Sequence, residues 1–503
     1  MRLPPPRLVR YLLAFMTSFR TALRNPNNTI YLARVLLIIG VLVSVSFVFI
    51  TRNPYDTGDS MLHYLFARFA PHHSLNLLDS WAKPFFTLLL MGPAQLGLRG
   101  VMLCQCGLVA ASAWLSYRVA ERLQIPYAAL AVLLCYTAPD YFRIQFSGLT
   151  EPLFGFVLIG GVALLVQGRP GWSAVLVSWL PFVRSEGFIL LGLWVVCLVW
   201  QRQWRALPLV GLGYLVYSAV GAAVLGEPGW VFGRNAYPTI SPYGHGSWDT
   251  FAVALLYLMG WVMTVLVVLG GGQLMMRLTQ KATWRNPLFP AELLLVYGVI
   301  FVFVAAHTLF WVFGLFGSAG MTRVLTVLTP LLALVALRGL SCLLLLGRTA
   351  LAQQRIAGSV AALTVALLFT GLRMEMRWER DFGQPGDLAL IERATSWYRQ
   401  QPSLARRLVI MQHPAVVVAL DIDIFAYEGR TSTAAFGRPQ MSKLPLGTVV
   451  FWDDWFSPVE GGLPLDSLAK NPRFRQCWAG SALRQANDTG RGTCRLLLFE
   501  KIK

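Results

Sequence analysis

Apolar runs separated by short polar segments dominate the first 372 residues of the chain. We place eleven of them, at residues 32–50, 100–118, 127–139, 151–168, 172–183, 187–200, 206–225, 251–272, 290–314, 322–345 and 356–372. A helix needs about 20 mostly apolar residues to cross a bilayer, so several of these runs are short and their ends are approximate. The pattern predicts an α-helical polytopic membrane protein with about eleven transmembrane helices.

Residues 373–503 have a different pattern, with the mixed polar and apolar positions of a soluble domain. Helical spacing of apolar side chains indicates a helix over residues 387–401. Three segments have the pattern of short strands, at residues 407–412, 448–452 and 494–500. We therefore expect a transmembrane domain at residues 32–372 and a C-terminal soluble α/β domain at residues 373–503.

Composition supports the membrane assignment. Of the 503 residues, 56% are hydrophobic and only 13% are charged, whereas soluble domains carry about 25% charged residues. A soluble enzyme, a disordered protein and a nucleic-acid-binding protein are therefore excluded. The formal net charge of +19 comes from 43 Lys and Arg against 24 Asp and Glu, and the basic residues lie mostly in short loops. We expect contact with membrane lipids and no nucleic-acid partner.

Positive charge sets the expected orientation, because cytoplasmic loops are enriched in Lys and Arg. The basic N-terminus, residues 1–31, is expected in the cytoplasm, and residues 51–99 form the first outer loop. If the ambiguous apolar stretch 84–98 crossed the membrane, the later basic loops would face outward, so we expect it not to cross. The C-terminal domain is then expected outside the cytoplasm, in a multi-pass membrane protein.

The chain contains seven cysteines, five of which lie in apolar runs and are expected to be small buried hydrophobic residues. Cys477 and Cys494 lie in the C-terminal domain, where an extracytoplasmic location permits a disulfide but does not require one. The cysteine spacing is not that of a metal site. A divalent cation has no support in the sequence, and we expect no cofactor.

The first outer loop contains the most informative polar residues, in the stretch YDTGDSMLHY at residues 55–64. Apolar positions after Asp59 have helical spacing and predict a helix lying on the membrane surface. Asp59 and His63, four residues apart, share its other side, and Asp56 lies a turn earlier. A partly desolvated carboxylate at a membrane edge can act as a general base. Alternatively, Asp59 only caps the helix.

Charged residues at the ends of later runs fall on the same outer side. Lys83 can pair with a phosphate or extend its amine to the membrane interface. Glu151 can serve a polar cavity or simply favour the positive end of a helix. Arg184 and Glu186 lie between two runs that are too close for a loop, where they are costly unless paired or used. Arginine also suits bidentate phosphate contact.

Two further positions complete the predicted cluster. Arg323 begins an apolar run after a glycine-containing segment and can hold a second phosphate oxygen. His245 lies in the outer loop 226–250, together with Arg234 and Tyr243, and is expected to line the same cavity. Charged groups at span ends on one face indicate a shared polar cavity rather than scattered surface charges.

Together these motifs resemble those of the GT-C glycosyltransferases, polytopic enzymes that use lipid-phosphate sugars and include protein O-mannosyltransferases and aminoarabinose transferases. The resemblance rests on four motifs in this order: the acidic motif at 56–63, WAKP at 81–84, TEP at 150–152 and RSEG at 184–187. It covers about residues 30–345. One departure is that Ser60 follows Asp59, where the commoner family pattern has two adjacent acidic residues.

The resemblance implies a GT-C-like fold and a hexosyl- or pentosyltransferase of the cell envelope. Such an enzyme moves a sugar from a polyprenyl-phosphate donor to a lipid, glycan or protein acceptor, with inversion, on the extracytoplasmic face. It implies a first-loop base, which we assign first to Asp59 and second to Asp56. The alternative function is a transporter or flippase of lipid-linked sugars, although no internal repeat typical of transporters is present in the sequence.

The candidate substrate-binding residues combine the roles that the resemblance implies with the polar outer-loop positions noted above. They are His63, Lys83, Glu151, Arg184, Glu186, His245 and Arg323. The three cations among them would hold the donor phosphate. The two glutamates would orient sugar hydroxyls or those cations.

Overall fold

The computed structural model describes residues 26–234, 237, 239–368, 385–404, 407–426, 443–483 and 492–503. Most of the basic N-terminal segment 1–31 and the predicted domain boundary after residue 372 lie outside these residues. In the described part, helices account for the structure up to residue 368, and a small sheet lies near the C-terminus.

Seven helices of the described residues are long and apolar enough to cross a membrane. They lie at Thr29–Ile50, Pro93–Arg122, Trp204–Leu225, Thr250–Leu278, Phe289–Val312, Thr322–Leu344 and Ala350–Leu367. At a rise of about 1.5 Å per residue, a helix of about 20 residues matches the roughly 30 Å hydrocarbon core of a bilayer. The expected class, an α-helical polytopic membrane protein, is confirmed.

The other four predicted spans fold as shorter helices, at Leu130–Thr137, Glu151–Val166, Pro170–Val177 and Gly187–Trp200. Two of these helices have eight residues and rise only about 12 Å, and the other two have 16 and 14 residues. All four are shorter than the seven long helices, in line with the short apolar runs of the sequence. The helix Leu130–Thr137 ends at Ala138, which is extended. Pro139 follows Ala138, and a proline favours the extended conformation in the residue before it. Further short helices lie at Pro139–Ile144, Leu180–Phe182, Trp230–Gly233 and Lys281–Trp284.

The segment between the first two long helices is built from short helices. The amphipathic helix expected there runs from Asp59 to Phe69 and buries Met61 and Leu65. A 3₁₀ turn at Ser74–Leu78 and a helix at Pro84–Leu90 follow. A seven-residue helix rises about 10 Å, which is too short to cross a bilayer.

Helices Thr250–Leu278 and Thr322–Leu344 pack backbone to backbone through glycine. A Cβ atom on Gly339 would lie 1.8 Å from the carbonyl oxygen of Leu266. Small residues allow membrane helices to approach this closely. Thr322–Leu344 is the most deeply buried of the seven helices, and its first turn carries Arg323 into the interior.

A buried ion cluster lies near the other end of the same helix. Glu292 accepts two hydrogen bonds from Arg277, at 2.8 and 2.9 Å, and two from Arg338, at 2.7 and 3.0 Å. Arg338 also donates to the carbonyl oxygen of Leu123 at 3.2 Å. A buried carboxylate is strongly destabilising unless it is paired with cations. The ion pairs of Glu292 therefore hold together the ends of the helices that carry Arg277, Glu292 and Arg338. Arg338 follows Arg323 by 15 residues, which is about 22 Å of helix.

The C-terminal region contains a four-stranded sheet with the order β1-β2-β4-β3. Its strands are β1 (Val409–Met411), β2 (Val449–Asp453), β3 (Phe474–Leu483) and β4 (Thr493–Lys501). β1 and β2 are parallel, and β4 is antiparallel to both β2 and β3. The associated helices are Gly386–Arg399, Pro414–Leu420, Phe456–Val459 and Asp466–Ala469. The expected C-terminal α/β region is confirmed, with β3 as an additional strand.

The strand register excludes the disulfide that the sequence left open. Neither Cys477 nor Cys494 forms a disulfide. On the paired strands β3 and β4, Cys494 lies opposite Ala482, whereas Cys477 donates from Sγ to the carbonyl oxygen of Leu498. Five residues of strand separate positions 477 and 482, which is about 16 Å. A disulfide requires Cα atoms within about 7 Å.

Candidate active site

The acidic motif at residues 56–63 begins the helix Asp59–Phe69. The Ser60 N–H donates to Asp56 Oδ1 at 2.8 Å, so the carboxylate that caps this helix is that of Asp56. The alternative interpretation of Asp59 as the cap is therefore wrong, since Asp59 is the first helical residue. Ser60 Oγ accepts a hydrogen bond from the Gly148 N–H at 2.6 Å. This contact fixes the start of the helix against the segment that leads to Glu151.

Arg323 joins the two aspartates. Its guanidinium donates to Asp56 through Nη1 and to Asp59 through Nη2, a fork that arginine provides and lysine does not. The side chains of Arg323 and Asp56 are 14% and 17% exposed, whereas that of Asp59 is 41% exposed. Both carboxylate oxygens of Asp56 are in use. Asp59 is therefore the aspartate that is open to a ligand.

A second charged cluster surrounds Arg184. Its guanidinium lies 2.8 Å from Glu151 Oε1 and donates to Glu186 Oε1 at 2.9 Å and to Thr150 Oγ1 at 3.1 Å. His307 Nε2 lies 3.2 Å from Glu186 Oε1. Burial alone would raise the pKa of Glu186, but Arg184 and His307 hold that pKa well below its usual range. Glu186 is therefore ionised and holds Arg184 in place.

Glu151 connects the two clusters. Its Oε1, which pairs with Arg184, also lies 3.8 Å from Arg323 Nε. Its Oε2 is buried and has no hydrogen-bond partner among the described residues. A buried carboxylate oxygen without a hydrogen bond costs about 1–3 kcal/mol or more. This atom is thus available to a hydroxyl group of a bound molecule.

Lys83 differs from the two arginines because no Asp or Glu of the described residues forms an ion pair with it. Its Nζ donates to the Ser80 carbonyl oxygen at 2.9 Å and to Ser185 Oγ at 3.0 Å, and lies 4.6 Å from the centre of the Tyr237 ring. Burial lowers the pKa of Lys83 to about 8. Its φ of 64° is left-handed, which costs a non-glycine residue about 1–2 kcal/mol. Such strain is typical of functional sites.

These side chains line a cavity of about 750 Å³ between the membrane helices, the loops that join them and the C-terminal region. Its wall includes His63 and Trp81, whose rings stack with centres 4.6 Å apart. Burial, with a smaller effect of Lys83, lowers the pKa of His63 to about 3, so His63 is neutral. Other parts of the wall, such as Phe310 and Met321, are apolar. The cavity therefore suits a molecule with anionic, hydroxyl and apolar parts.

Charges of both signs face this cavity. The cations are Lys83, Arg184 and Arg323, and the carboxylates include Asp59, Glu151 and Glu186. Over the described ranges, no group of three or more His, Cys, Asp or Glu side chains is placed to hold a metal ion. Fixed cations are therefore the groups that the described residues offer to an anion.

Seven of the nine residues proposed from the sequence line the cavity, namely Asp59, His63, Lys83, Glu151, Arg184, Glu186 and Arg323. Asp56 is not in the wall and reaches it only through Arg323. His245 is exposed and does not line the cavity, contrary to expectation. The chain turns at Gly244, where φ is 85°, and it is Tyr243 that lies in the wall and donates to Glu460 at 2.5 Å.

The sequence did not single out three residues of the wall, Tyr237, His307 and Glu460. His307 lies inside the apolar run 290–314, and an ionisable residue within a span is a signal of function that identifies it in retrospect. Tyr237 lies in the loop 226–250, in a stretch without a distinguishing pattern. Glu460 comes from the C-terminal region and reaches the cavity by a tertiary contact that no local pattern encodes.

No family model matches the sequence, and no curated protein matches it. Among solved structures, the chain is similar to the crystal structure of ArnT from Cupriavidus metallidurans bound to undecaprenyl phosphate. The similarity covers 94% of this chain and 98% of that chain, with a TM-score of 0.56 and 12% sequence identity. It confirms the expected polytopic helical fold, which is similar to that of ArnT, and at this identity it establishes the fold alone.

Proposed function

We propose that the protein is a GT-C-type membrane glycosyltransferase that moves a sugar from a polyprenyl-phosphate donor to an acceptor. One observation carries this proposal: a single cavity contains Asp59, which is open to a ligand, and Lys83, which is buried without an ion-pair partner among the described residues. The fold supports it, because the crystal structure of ArnT, which has a similar architecture, contains undecaprenyl phosphate.

Lys83 is the first choice for the donor phosphate. A buried ammonium without a counter-ion gains more from a bound anion than a cation that is already paired, because desolvated charges interact strongly. Arg184 and Arg323 have carboxylate partners and would act mainly through their fixed positive charge. The phosphate gains negative charge as it leaves the sugar, and preorganised cations stabilise that change. The apolar part of the wall would hold the prenyl tail.

Asp59 is the proposed general base. The acceptor oxygen attacks the anomeric carbon, the bond from that carbon to the phosphate oxygen breaks, and the acceptor proton passes to Asp59. Prenyl phosphate leaves with the bonding electrons, and this single displacement inverts the anomeric carbon. Arg323 orients the Asp59 carboxylate, and Asp56 holds Arg323 and is a positioning residue. Glu151 Oε2 would accept a hydrogen bond from a sugar hydroxyl.

The proposed location of the cavity is the extracytoplasmic face of a bacterial inner (plasma) membrane. The orientation rests on the distribution of Lys and Arg, which assigns the loop containing Arg277 to the cytoplasm. Arg277 and Arg338 share the carboxylate of Glu292, and Arg338 lies about 22 Å along the helix from Arg323. The cavity, which contains Arg323, is therefore at the opposite end of this helix from the loop containing Arg277. The acceptor would be a lipid, a glycan or a protein of the cell envelope.

A transfer assay tests the proposal. Purified protein in liposomes receives a panel of radiolabelled polyprenyl-phosphate sugars, with a membrane extract as the source of acceptors. Wild-type protein is expected to move label to a new species. Asp59→Asn is expected to lower turnover at least about 100-fold, because a general base contributes about 10²–10⁴-fold, and to bind the donor as before. Asp249→Asn, the same change at an exposed outer-loop position, is the control.

Two results would contradict the proposal in different ways. Movement of intact donor across the bilayer without any product would favour the transporter or flippase. Transfer by Asp59→Asn at the wild-type rate would keep the enzyme class and remove Asp59 from the role of base. Asp56→Asn would then be the next variant to measure.

A further inference from the structure

The first-loop helix Asp59–Phe69 lies against the C-terminal domain. Arg68 Nη2 pairs with Asp421 Oδ1 at 2.6 Å. The ring of Phe66 packs edge-on against that of Phe425, with centres 4.8 Å apart. These contacts hold the distal half of the helix, away from the cavity.

A separate contact reaches the acidic motif itself. Thr57, in the middle of that motif, donates from Oγ1 to Asp387 Oδ2 at 2.9 Å. Asp387 belongs to the helix Gly386–Arg399 of the C-terminal domain. The next residue, Gly58, lies under the ring of Phe456, where a Cβ atom would stand 3.0 Å from the ring. The C-terminal domain thus holds the turn that presents the candidate base.

Asp387 is itself held in a defined orientation. His413 Nδ1 accepts from the Ala415 N–H at 3.2 Å, so the ring proton lies on Nε2, which donates to Asp387 Oδ2 at 3.1 Å. The Leu388 N–H donates to Asp387 Oδ1 at 2.8 Å. Burial alone would raise the pKa of Asp387, but the hydrogen bonds from His413 and Thr57 lower it below its usual range. Asp387 is therefore an ionised acceptor with both oxygens engaged.

We infer that Thr57, Asp387 and His413 position Asp59 for catalysis, which makes the C-terminal domain part of the catalytic unit. This inference rests on the proposed function, because it concerns the placement of the proposed base. Arg323 holds Asp59 from the membrane side, and the charge-assisted bond from Thr57 to Asp387 holds the same turn from the other side. None of the three residues lines the cavity, so they act through Asp59.

Thr57→Val tests the inference because it removes the hydroxyl donor and keeps the shape of the side chain. A catalytic group displaced by about 1 Å can lose about 100-fold in rate, so kcat is expected to fall about ten- to hundredfold with KM for the donor unchanged. Thr57→Ser, which keeps the hydroxyl, is expected to restore most of kcat. Asp387→Asn added to Thr57→Val is expected to cause no further loss of kcat, since Asp387 contacts this turn through the Thr57 hydroxyl that the first change removes.

Asp421→Asn is the matched control. It makes the same carboxylate-to-amide change as Asp387→Asn in the same interface, at a side chain that is 66% exposed. Asp421 has a φ of 56°, a conformation that asparagine tolerates. Wild-type kcat in Asp421→Asn would show that loss of an interface charge alone does not reduce turnover.

Hydrogen exchange of residues 54–62 in the full-length protein gives a second readout that needs no substrate. Faster exchange in Thr57→Val together with lower kcat supports the inference. Unchanged exchange in Thr57→Val overturns the inference, whatever the activity of the variant. Faster exchange with wild-type kcat overturns the claim that the held turn positions Asp59 for catalysis. If wild-type protein transfers no sugar, the proposed function fails, and the exchange data still decide whether the C-terminal domain holds the turn.

Discussion

Lys83→Met is expected to produce a protein that is more stable and that binds its donor poorly. Lys83 is 5% exposed, and among the described residues its ammonium donates to two neutral oxygens. Burial lowers its pKa from 10.5 to about 8, so folding disfavours the charged form of this side chain. Methionine has a similar length and no charge, and it therefore removes this penalty.

The size of the effect follows from the pKa. A change from 10.5 to about 8 corresponds to roughly 3 kcal/mol. Loss of the hydrogen bonds to Ser80 and Ser185 offsets about 1–2 kcal/mol of that. We expect a gain of about 1–2 kcal/mol in the free energy of unfolding at about pH 7.

The stability gained by Lys83→Met should become smaller as the pH rises through 8. The unfolded lysine keeps its proton until the pH approaches 10.5, whereas the folded lysine loses its proton near 8. The unfolded state therefore binds more protons between these values, and wild-type stability rises with pH. Lys83→Met lacks this titrating amine, so its advantage over wild type in the free energy of unfolding decreases as the pH rises.

Thermal unfolding of the purified proteins at about pH 7 and about pH 9.5 measures the stability difference. Titration with polyprenyl phosphate, followed by tryptophan fluorescence because Trp81 lies in the wall, measures binding. Binding is expected to weaken at least about tenfold, since a charge-assisted hydrogen bond contributes about 1.5–3 kcal/mol. Lys281→Met, at an exposed lysine, is the control. A lower melting temperature at both pH values, or unchanged binding, would refute the reasoning.

Two further predictions concern the helix bundle. Glu292→Gln is expected to lower the free energy of unfolding by about 3–5 kcal/mol, because two partly buried arginines lose the buried carboxylate that they share. Thermal unfolding measures this, and donor binding to the folded protein should stay unchanged. Gly339→Val is expected to prevent assembly, because its Cβ would lie 1.8 Å from the Leu266 carbonyl oxygen. The yield of folded membrane protein measures this, and Gly271→Val, which meets no neighbour within 4 Å, should express normally.

The grouping of the charged residues could be predicted from the sequence because it depends on topology. The distribution of basic loops assigned Lys83, Arg184 and Arg323 to one face, and the order of the motifs brought Asp59 to them. Seven of the nine proposed residues line one cavity. The pairing within the cluster could not be predicted, because the choice between Asp56 and Asp59 as helix cap depends on one backbone hydrogen bond.

Other features depend on tertiary contacts or on local detail that the hydrophobic pattern does not contain. The apolar run at 127–139 gives the same signal as a full span, although its helix stops at Thr137. Strand β3 is largely exposed and lacks the apolar alternation of a buried strand. The bond from Thr57 to Asp387 joins residues 330 positions apart. No window of sequence contains both partners.

The central claim is that Asp59 removes the acceptor proton in a sugar transfer, and a single-turnover experiment tests it most directly. Labelled donor is first bound to wild-type protein and to Asp59→Asn, and acceptor is then added. Asp59→Asn is expected to hold the donor as tightly as wild type and to transfer its sugar at least about 100 times more slowly. Transfer at the wild-type rate from donor bound to Asp59→Asn would contradict the claim.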